Sequence, residues 1–338
     1  MTVSGSSWEG TSRVFSIYRS LGEIPAVFGP SAITVGNFDG VHLGHSRILR
    51  EVAQIGREHG WATLALTFDP HPTKVVAPDR MPRLLTSMPA RLALFAQAGL
   101  QAALVLPFTP EVARLAPEEF VEKILVEKLR AQAVVVGANF RFGRNHAGDA
   151  ALLGACGRRF GFEVRIIDPV IWRGKIVSSS AVRQLISAGA VSQAAHMLGR
   201  PFAVEGRVVR GHGVGARQTV PTLNLAPETE VLPERGVYST CTTDPDSGRE
   251  WPSVTNIGYR PTFGGSDLSI ETFLLRPLDG PSPVRLSIAF WRRLRDEKKF
   301  ASPDELRAQI WKDVAATEKF FRRLRAAQKT TIAKEVVS

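Results

Sequence analysis

Short apolar runs bounded by turn residues recur through the first half of the chain, at 33–36, 62–68, 102–106, 133–137 and 162–167. Each has the length and the β-branched or apolar make-up of a buried parallel strand. Stretches of helical period separate them, such as 117–132, with Phe120, Ile124, Leu125 and Leu129 along one stripe. This alternation predicts an α/β fold with a doubly wound parallel sheet, in which ligands bind at the carboxyl ends of the strands. A short helix over 191–198 and the tripeptide Gly199-Arg200-Pro201 mark a change of character. Beyond them the apolar runs, at 204–209, 237–242, 253–257, 269–275 and 284–290, have Gly, Pro, Asp and Ser turns between them and no helices. That pattern predicts a compact antiparallel barrel. Helical period returns over 302–325, where Ser302 is an N-cap and Glu305 completes a capping box. There is no internal repeat and no low-complexity tract.

The first strand leads into Gly36-Asn37-Phe38-Asp39-Gly40-Val41-His42-Leu43-Gly44-His45 and then into a helix-period stretch. A tight turn from a strand into a helix N-terminus presents unpaired backbone N–H groups and the positive end of the helix dipole, which suits a phosphate. His42 and His45, three residues apart, project on one face there and can bond a polyphosphate. The glycine, aspartate and aromatic at fixed offsets make this look like a nucleotidyltransferase motif rather than a turn with two surface histidines.

Composition narrows the reading. A chain of 338 residues has room for two domains with separate cores. No apolar run approaches the ~20 residues needed to cross a bilayer. Residues 1–13 are small and polar without the apolar core of a signal peptide, and are expected to be a disordered tail. Cys156 and Cys241 fall in different expected domains without metal-ligand spacing, which fits a reducing cytoplasm. The net charge of +11 is densest at Arg292-Arg293-Leu294-Arg295, Lys298-Lys299 and Arg322-Arg323-Leu324-Arg325. These clusters carry no interleaved aromatics and no nucleic-acid motif, and read as solvated helix faces. Nucleic-acid and membrane partners are not expected, and self-association is expected to be weak at most.

Three further clusters complete an adenylyl-transfer site. Thr67-Phe68-Asp69-Pro70-His71-Pro72 follows the second strand, its prolines stiffening the loop. Gly137-Ala138-Asn139-Phe140-Arg141-Phe142-Gly143 ends a strand with an amide, a guanidinium and two aromatics, suited to a flat heterocycle and an anion. Val177-Ser178-Ser179-Ser180-Ala181-Val182-Arg183 is a hydroxyl-rich helix start and a second phosphate clamp. In this order the motifs resemble the bifunctional bacterial riboflavin kinase/FAD synthetase family, and the likeness extends from residue 33 to the C-terminal helices. The resemblance implies a nucleotidyltransferase domain over 14–189, a linker over 190–200 and a riboflavin kinase barrel with C-terminal helices over 201–338. It implies that the first domain joins FMN and ATP into FAD and pyrophosphate. Gly36, Asn37, Phe38, Asp39, His42, Gly44, His45, Ser178, Ser179, Ser180 and Arg183 would bind ATP, with Asn37 and the histidines catalytic. Asp69, His71, Asn139, Arg141 and Phe142 would bind flavin. Ser180 stands where the family usually has threonine, and keeps the hydroxyl. The phosphate of FMN is already anionic, so this step needs alignment and charge stabilisation and no general base.

In the second domain the resemblance rests on Val220-Pro221-Thr222-Leu223-Asn224-Leu225, Gly236-Val237-Tyr238, Asn256-Ile257-Gly258-Tyr259-Arg260-Pro261-Thr262-Phe263, Ile270-Glu271-Thr272-Phe273 and Leu294-Arg295-Asp296-Glu297-Lys298-Lys299-Phe300. It implies a glycine-rich ATP loop with Gly211, Gly213, Gly215, Arg217 and Thr222, and Mg²⁺ held by Thr222 and Asn224. Asn256, Arg295 and Glu271 would meet riboflavin. The ribityl hydroxyl is neutral, so this reaction needs a base, and the family's glutamate falls at Glu271. The chain has no Walker A sequence. It departs from the family at Ala216, Thr219 and Leu223, and Arg217, one residue past the usual place, is expected to turn toward the nucleotide. The reading is a cytoplasmic enzyme that converts riboflavin to FMN and FMN to FAD, with ATP as co-substrate and Mg²⁺ as cofactor. The alternatives are an FMN adenylyltransferase with a degenerate flavin-binding barrel, and an RNA-binding protein on an old nucleotidyltransferase fold.

Overall fold

The computed structural model describes residues 15–209, 222–262, 265–278 and 280–335. Their contacts form two units: the chain up to Pro82 with Met88–Val170, and Arg83–Ser87 with the chain from Ile171 onward.

The first unit is built on six parallel strands: β1 (Ser16–Tyr18), β2 (Ser31–Val35), β3 (Ala62–Asp69), β4 (Ala102–Pro107), β5 (Ala131–Gly137) and β6 (Glu163–Ile167), in the order β1-β4-β3-β2-β5-β6. The five expected strands are present, and β1 adds an edge strand of three residues that had no readable pattern. Sheet alternation sorts the two cores. Ile33, Val35, Leu64, Leu66, Leu104, Val134 and Val136 pack on the helix through Ile124 and Leu125. Ala32, Ala65, Ala103 and Ala133 face the other way, and their small side chains let helices α1 (Leu43–His59) and α2 (Met88–Gln97) lie close. The expected helix over 117–132 is shorter. After Pro117–Phe120 it widens over Val121–Lys128, where Leu129 donates to the Ile124 carbonyl, and β5 already begins at Ala131. The apolar spacing runs unbroken from Leu125 into the strand and hides that boundary.

The second unit holds helices α3 (Ser179–Ser187) and α4 (Val191–Leu198) and a closed antiparallel barrel. The barrel strands are β7 (Phe202–Val209), β8 (Leu223–Pro227), β9 (Gly236–Thr243), β10 (Glu250–Thr262), β11 (Gly265–Leu274) and β12 (Arg285–Arg295), closed in the order β7-β8-β11-β10-β9-β12. Val204, Leu225, Ile257, Ile270, Ile288 and Phe290 fill the interior. On β9, β10 and β11 the inward positions are hydroxyls instead. Thr240, Thr242, Ser253, Thr255 and Thr272 are fully buried and bond one another at 2.7 to 3.3 Å. Helix α5 (Pro303–Glu335) covers part of the outer wall, with Val314 and Ile310 against Val237, Val254 and Phe273.

Two expectations are corrected here. Arg292, Arg293 and Arg295 are not helical; they end β12, paired with β9 across two register shifts. Each shift interrupts the alternation from which a strand is read. Ser302 does cap α5 by accepting from the N–H of Glu305 at 3.2 Å, but the Glu305 carboxylate reaches back to the N–H of Ala301 and not to that of Ser302.

Candidate active sites

In the first unit, β2 has β3 on one side and β5 on the other, so the strand order reverses between β2 and β5. The carboxyl ends of these two strands bound the crevice where ligands bind in such sheets. Residues 36–42 connect β2 to α1 there. His42 is the N-cap of α1, and its Nδ1 accepts from the N–H of His45 at 3.4 Å. The two imidazoles stack at 3.7 Å between centroids with 15° between planes. A neutral His42 whose Nδ1 is an acceptor carries its proton on Nε2. Gly44 separates the pair because a Cβ there would lie 3.2 Å from the His42 ring. The turn has left-handed backbone at Phe38, Gly40 and Val41, with φ of 50°, 80° and 37°. Phe38 packs edge-on to both His45 and Phe95. Burial holds the His45 imidazole well below the ordinary histidine range, and the neighbouring His42 and Arg91 push it the same way. Its Nδ1 is enclosed and has no hydrogen-bond partner among the described residues.

The other expected residues of this unit divide. Asn37 is half-buried in the turn, with its carbonyl accepting from Thr67 Oγ1 at 3.4 Å. Asp69 ends β3, and His71 caps the short helix Pro72–Val76 through Nδ1. Asn139 lies at the end of β5, its Oδ1 3.4 Å from where a Gly137 Cβ would be. Phe140 stacks on Phe142, which is buried against Phe120 and Gly148 as part of the core. Arg141 is exposed and pairs with Asp149 at 3.2 Å. Ser178 caps α3 by accepting from the N–H of Ala181, and Arg183 donates from Nε to the Arg83 carbonyl; both belong to the second unit, as do Ser179 and Ser180.

In the barrel, register does the assembling. Glu271 on β11 stands opposite Asn224 on β8 and opposite Asn256 on β10. Asn256 faces Val237, which faces Arg295. Residues directly opposite in antiparallel strands share a face. The interior belongs to Thr272, Thr255 and Tyr238 of the adjacent rung, so this rung lines the outer wall. Ser269 donates to Glu271 Oε1 at 3.0 Å. Arg295 grips Asp313 of α5 through Nε at 3.1 Å and Nη2 at 2.8 Å, so its guanidinium is held to the helix. Thr222 is exposed just before β8. Gly211, Gly213, Gly215 and Arg217, with Ala216 and Thr219, lie outside the described residues.

The FAD synthetase family model matches residues 25–181 and the riboflavin kinase family model residues 198–321. The bifunctional riboflavin kinase/FMN adenylyltransferase of Escherichia coli (strain K12) is 34% identical over 289 residues, covering 86% of this chain and 92% of that protein. The chain belongs to this bifunctional family. The family member from Pseudomonas fluorescens is 37% identical, covering 84% of this chain and 90% of its own, and that from Haemophilus influenzae is 30% identical, covering 90% and 99%. A crystal structure described as a macrolide-efflux protein from Streptococcus pneumoniae has the same fold, with a TM-score of 0.79 over 90% of this chain and 98% of that one at 24% identity. As a member of the family the chain carries both an FAD synthetase and a riboflavin kinase domain. The FAD synthetase match ends at 181, whereas the second unit begins by contacts at Ile171.

Sequence reading missed two residues at these sites. Arg91 is buried on α2 with Asp39 at 3.9 Å, and Asp313 holds Arg295. A lone cation between Ala90 and Leu92 on an otherwise apolar helix was the available signal for the first. The second has none in the sequence.

Proposed function

We propose that this bifunctional enzyme phosphorylates riboflavin at the outer wall of the barrel and adenylylates FMN at the β2–α1 turn, with the residue roles that follow. The observation that carries the reading is one chain holding two places suited to phosphate chemistry. One is a histidine-capped helix N-terminus at a topological switch point; the other is a barrel rung with a glutamate between two asparagines.

For adenylylation, a phosphate oxygen of FMN attacks the α-phosphorus of ATP and pyrophosphate leaves. The first amides of α1, His42 Nε2 and Asn37 hold the nucleotide phosphates as charge moves toward the leaving group. Asp69, His71, Asn139 and Arg141 are assigned to the flavin substrate. Phe142, being core, supports the ring of Phe140. Ser178–Arg183, whose first four residues the FAD synthetase match includes, is assigned to phosphate binding.

For phosphorylation, Glu271 takes the proton of the riboflavin 5′-hydroxyl as its oxygen attacks the γ-phosphorus of ATP and ADP leaves. The donors near it suit Mg²⁺. Asn224, opposite Glu271 in the ladder, offers an amide oxygen and Thr222, two residues before it, a hydroxyl, hard ligands that leave positions for phosphates and water. Among the described residues no cluster of three His, Cys, Asp or Glu could hold a metal ion. Mg²⁺ would neutralise phosphate charge there; Asn256 orients riboflavin, and Arg295 fixes the wall by anchoring α5. The two free cysteines fit a reducing cytoplasm. Among the described residues no helix is long and apolar enough to cross a membrane.

Incubating the purified chain with riboflavin, ATP and Mg²⁺ and separating the flavins tests the reading. FMN followed by FAD is expected. FAD only from supplied FMN would leave the barrel as a binding module, and no conversion would overturn both assignments.

A further inference from the structure

Helix α2 carries one charged residue, Arg91, and that residue is 2% exposed. A guanidinium does not shed its proton at neutral pH, so a buried one keeps its charge and needs carboxylates near it. Asp39 Oδ1 is 3.9 Å away and is itself buried, and the charge of Asp69 at the end of β3 favours the guanidinium further. Asp39 sits in the middle of the left-handed turn that leads into α1. Phe38 and Val41 adopt positive φ without being glycine, a conformation that persists only where the surroundings over-determine it. Helix α2 supplies that constraint at two successive residues. Arg91 holds Asp39, and one helical turn on, Phe95 meets the Phe38 ring edge-on at 5.3 Å. The Phe38 ring in turn lies edge-on to His45 at 5.2 Å.

We propose that Arg91 is a positioning residue for FMN adenylylation: through Asp39 it holds the left-handed turn that sets the His42–His45 pair over the N-terminus of α1. The role rests on the reading of the first unit as the adenylyltransferase. Arg91 lies behind the turn and out of solvent, and acts through Asp39 rather than on the nucleotide. Its positive charge beside His45 also disfavours protonation of that imidazole.

The test uses the full chain with R91M, R91K, D39N and the R91M/D39N double variant. FAD formation from FMN and ATP is measured as kcat and KM for ATP, with riboflavin phosphorylation in the same samples as a control on the second unit and circular dichroism on the fold. R91M is expected to lower kcat for FAD formation on the order of 10- to 100-fold, since small misplacement of catalytic groups costs that much, with KM for ATP changed far less. R91K keeps the charge but not the fork, and should fall between R91M and wild type. D39N added to R91M should cost nothing further, because the two act as a unit. Normal kcat in R91M, or losses that multiply in the double variant, would overturn the role. If R91M does not fold, an R91K protein that folds with wild-type kcat overturns it as well. A wild-type chain that forms no FAD overturns the activity and this role together; wild-type FAD formation with an indifferent R91M overturns the role alone.

Discussion

A histidine that caps a helix has already used one of its two nitrogens. His42 accepts the His45 N–H at Nδ1, and Nε2 is the nitrogen proposed to meet phosphate. Asparagine caps as well as any residue but has no imidazole. His42→Asn should therefore leave thermal unfolding within about 1 kcal/mol of wild type. FAD formation should drop on the order of 10²–10³-fold, the usual cost of one preorganised donor to developing charge. Steady-state rates beside a melting curve check both. His45 makes a different prediction. Its pKa in the folded chain lies below the ordinary 6.5, chiefly through burial. As pH falls through that ordinary value the unfolded chain takes up a proton that the folded chain refuses, so the first unit loses stability toward acid and gains nothing from this group above about pH 7. Melting curves between about pH 7.5 and 5.5 should show the loss, and His45→Gln should flatten it. A slope that His45→Gln leaves unchanged would assign the effect elsewhere.

At the scale of elements, packing sets tight limits. A Cβ on Gly56 of α1 would come 2.1 Å from the Thr63 methyl of β3, a buried β-branched side chain that cannot swing away. Gly56→Ala gains ~1 kcal/mol of helix propensity and loses more to the clash, for a net destabilisation of about 1–2 kcal/mol read by urea unfolding. Strands 62–68 and 102–106 were legible because a buried parallel strand is apolar along its whole length. The β2–α1 turn was legible because glycines and histidines at fixed offsets are local chemistry. Ser16–Tyr18 was not, since three edge residues carry no pattern. The end of the helix at Lys128 and the strand character of Arg292 to Arg295 were hidden where apolar spacing ran on or a bulge broke alternation. Arg91 and Asp313 needed the fold, because each takes its meaning from a partner far along the chain. The juxtaposition of Asn224, Glu271 and Asn256 is likewise a fact of register.

For the whole molecule, two units with separate cores predict separable activities. Glu271→Gln keeps size and hydrogen bonding but removes the proton acceptor. It should slow FMN production ~10²–10⁴-fold while FAD synthesis from supplied FMN continues. Chromatography of the flavins separates the two results, and unchanged phosphorylation would remove Glu271 from the mechanism.

The chain crosses between the units at 82/83, 87/88 and 170/171. Residues 83–87 are made early, yet the N–H of Leu84 donates to Glu230 and the hydroxyl of Ser87 to Glu205. Those acceptors leave the ribosome 146 and 118 residues later. During synthesis these two hydrogen bonds therefore form only after much of the barrel has emerged. The order of translation and the order of assembly differ here.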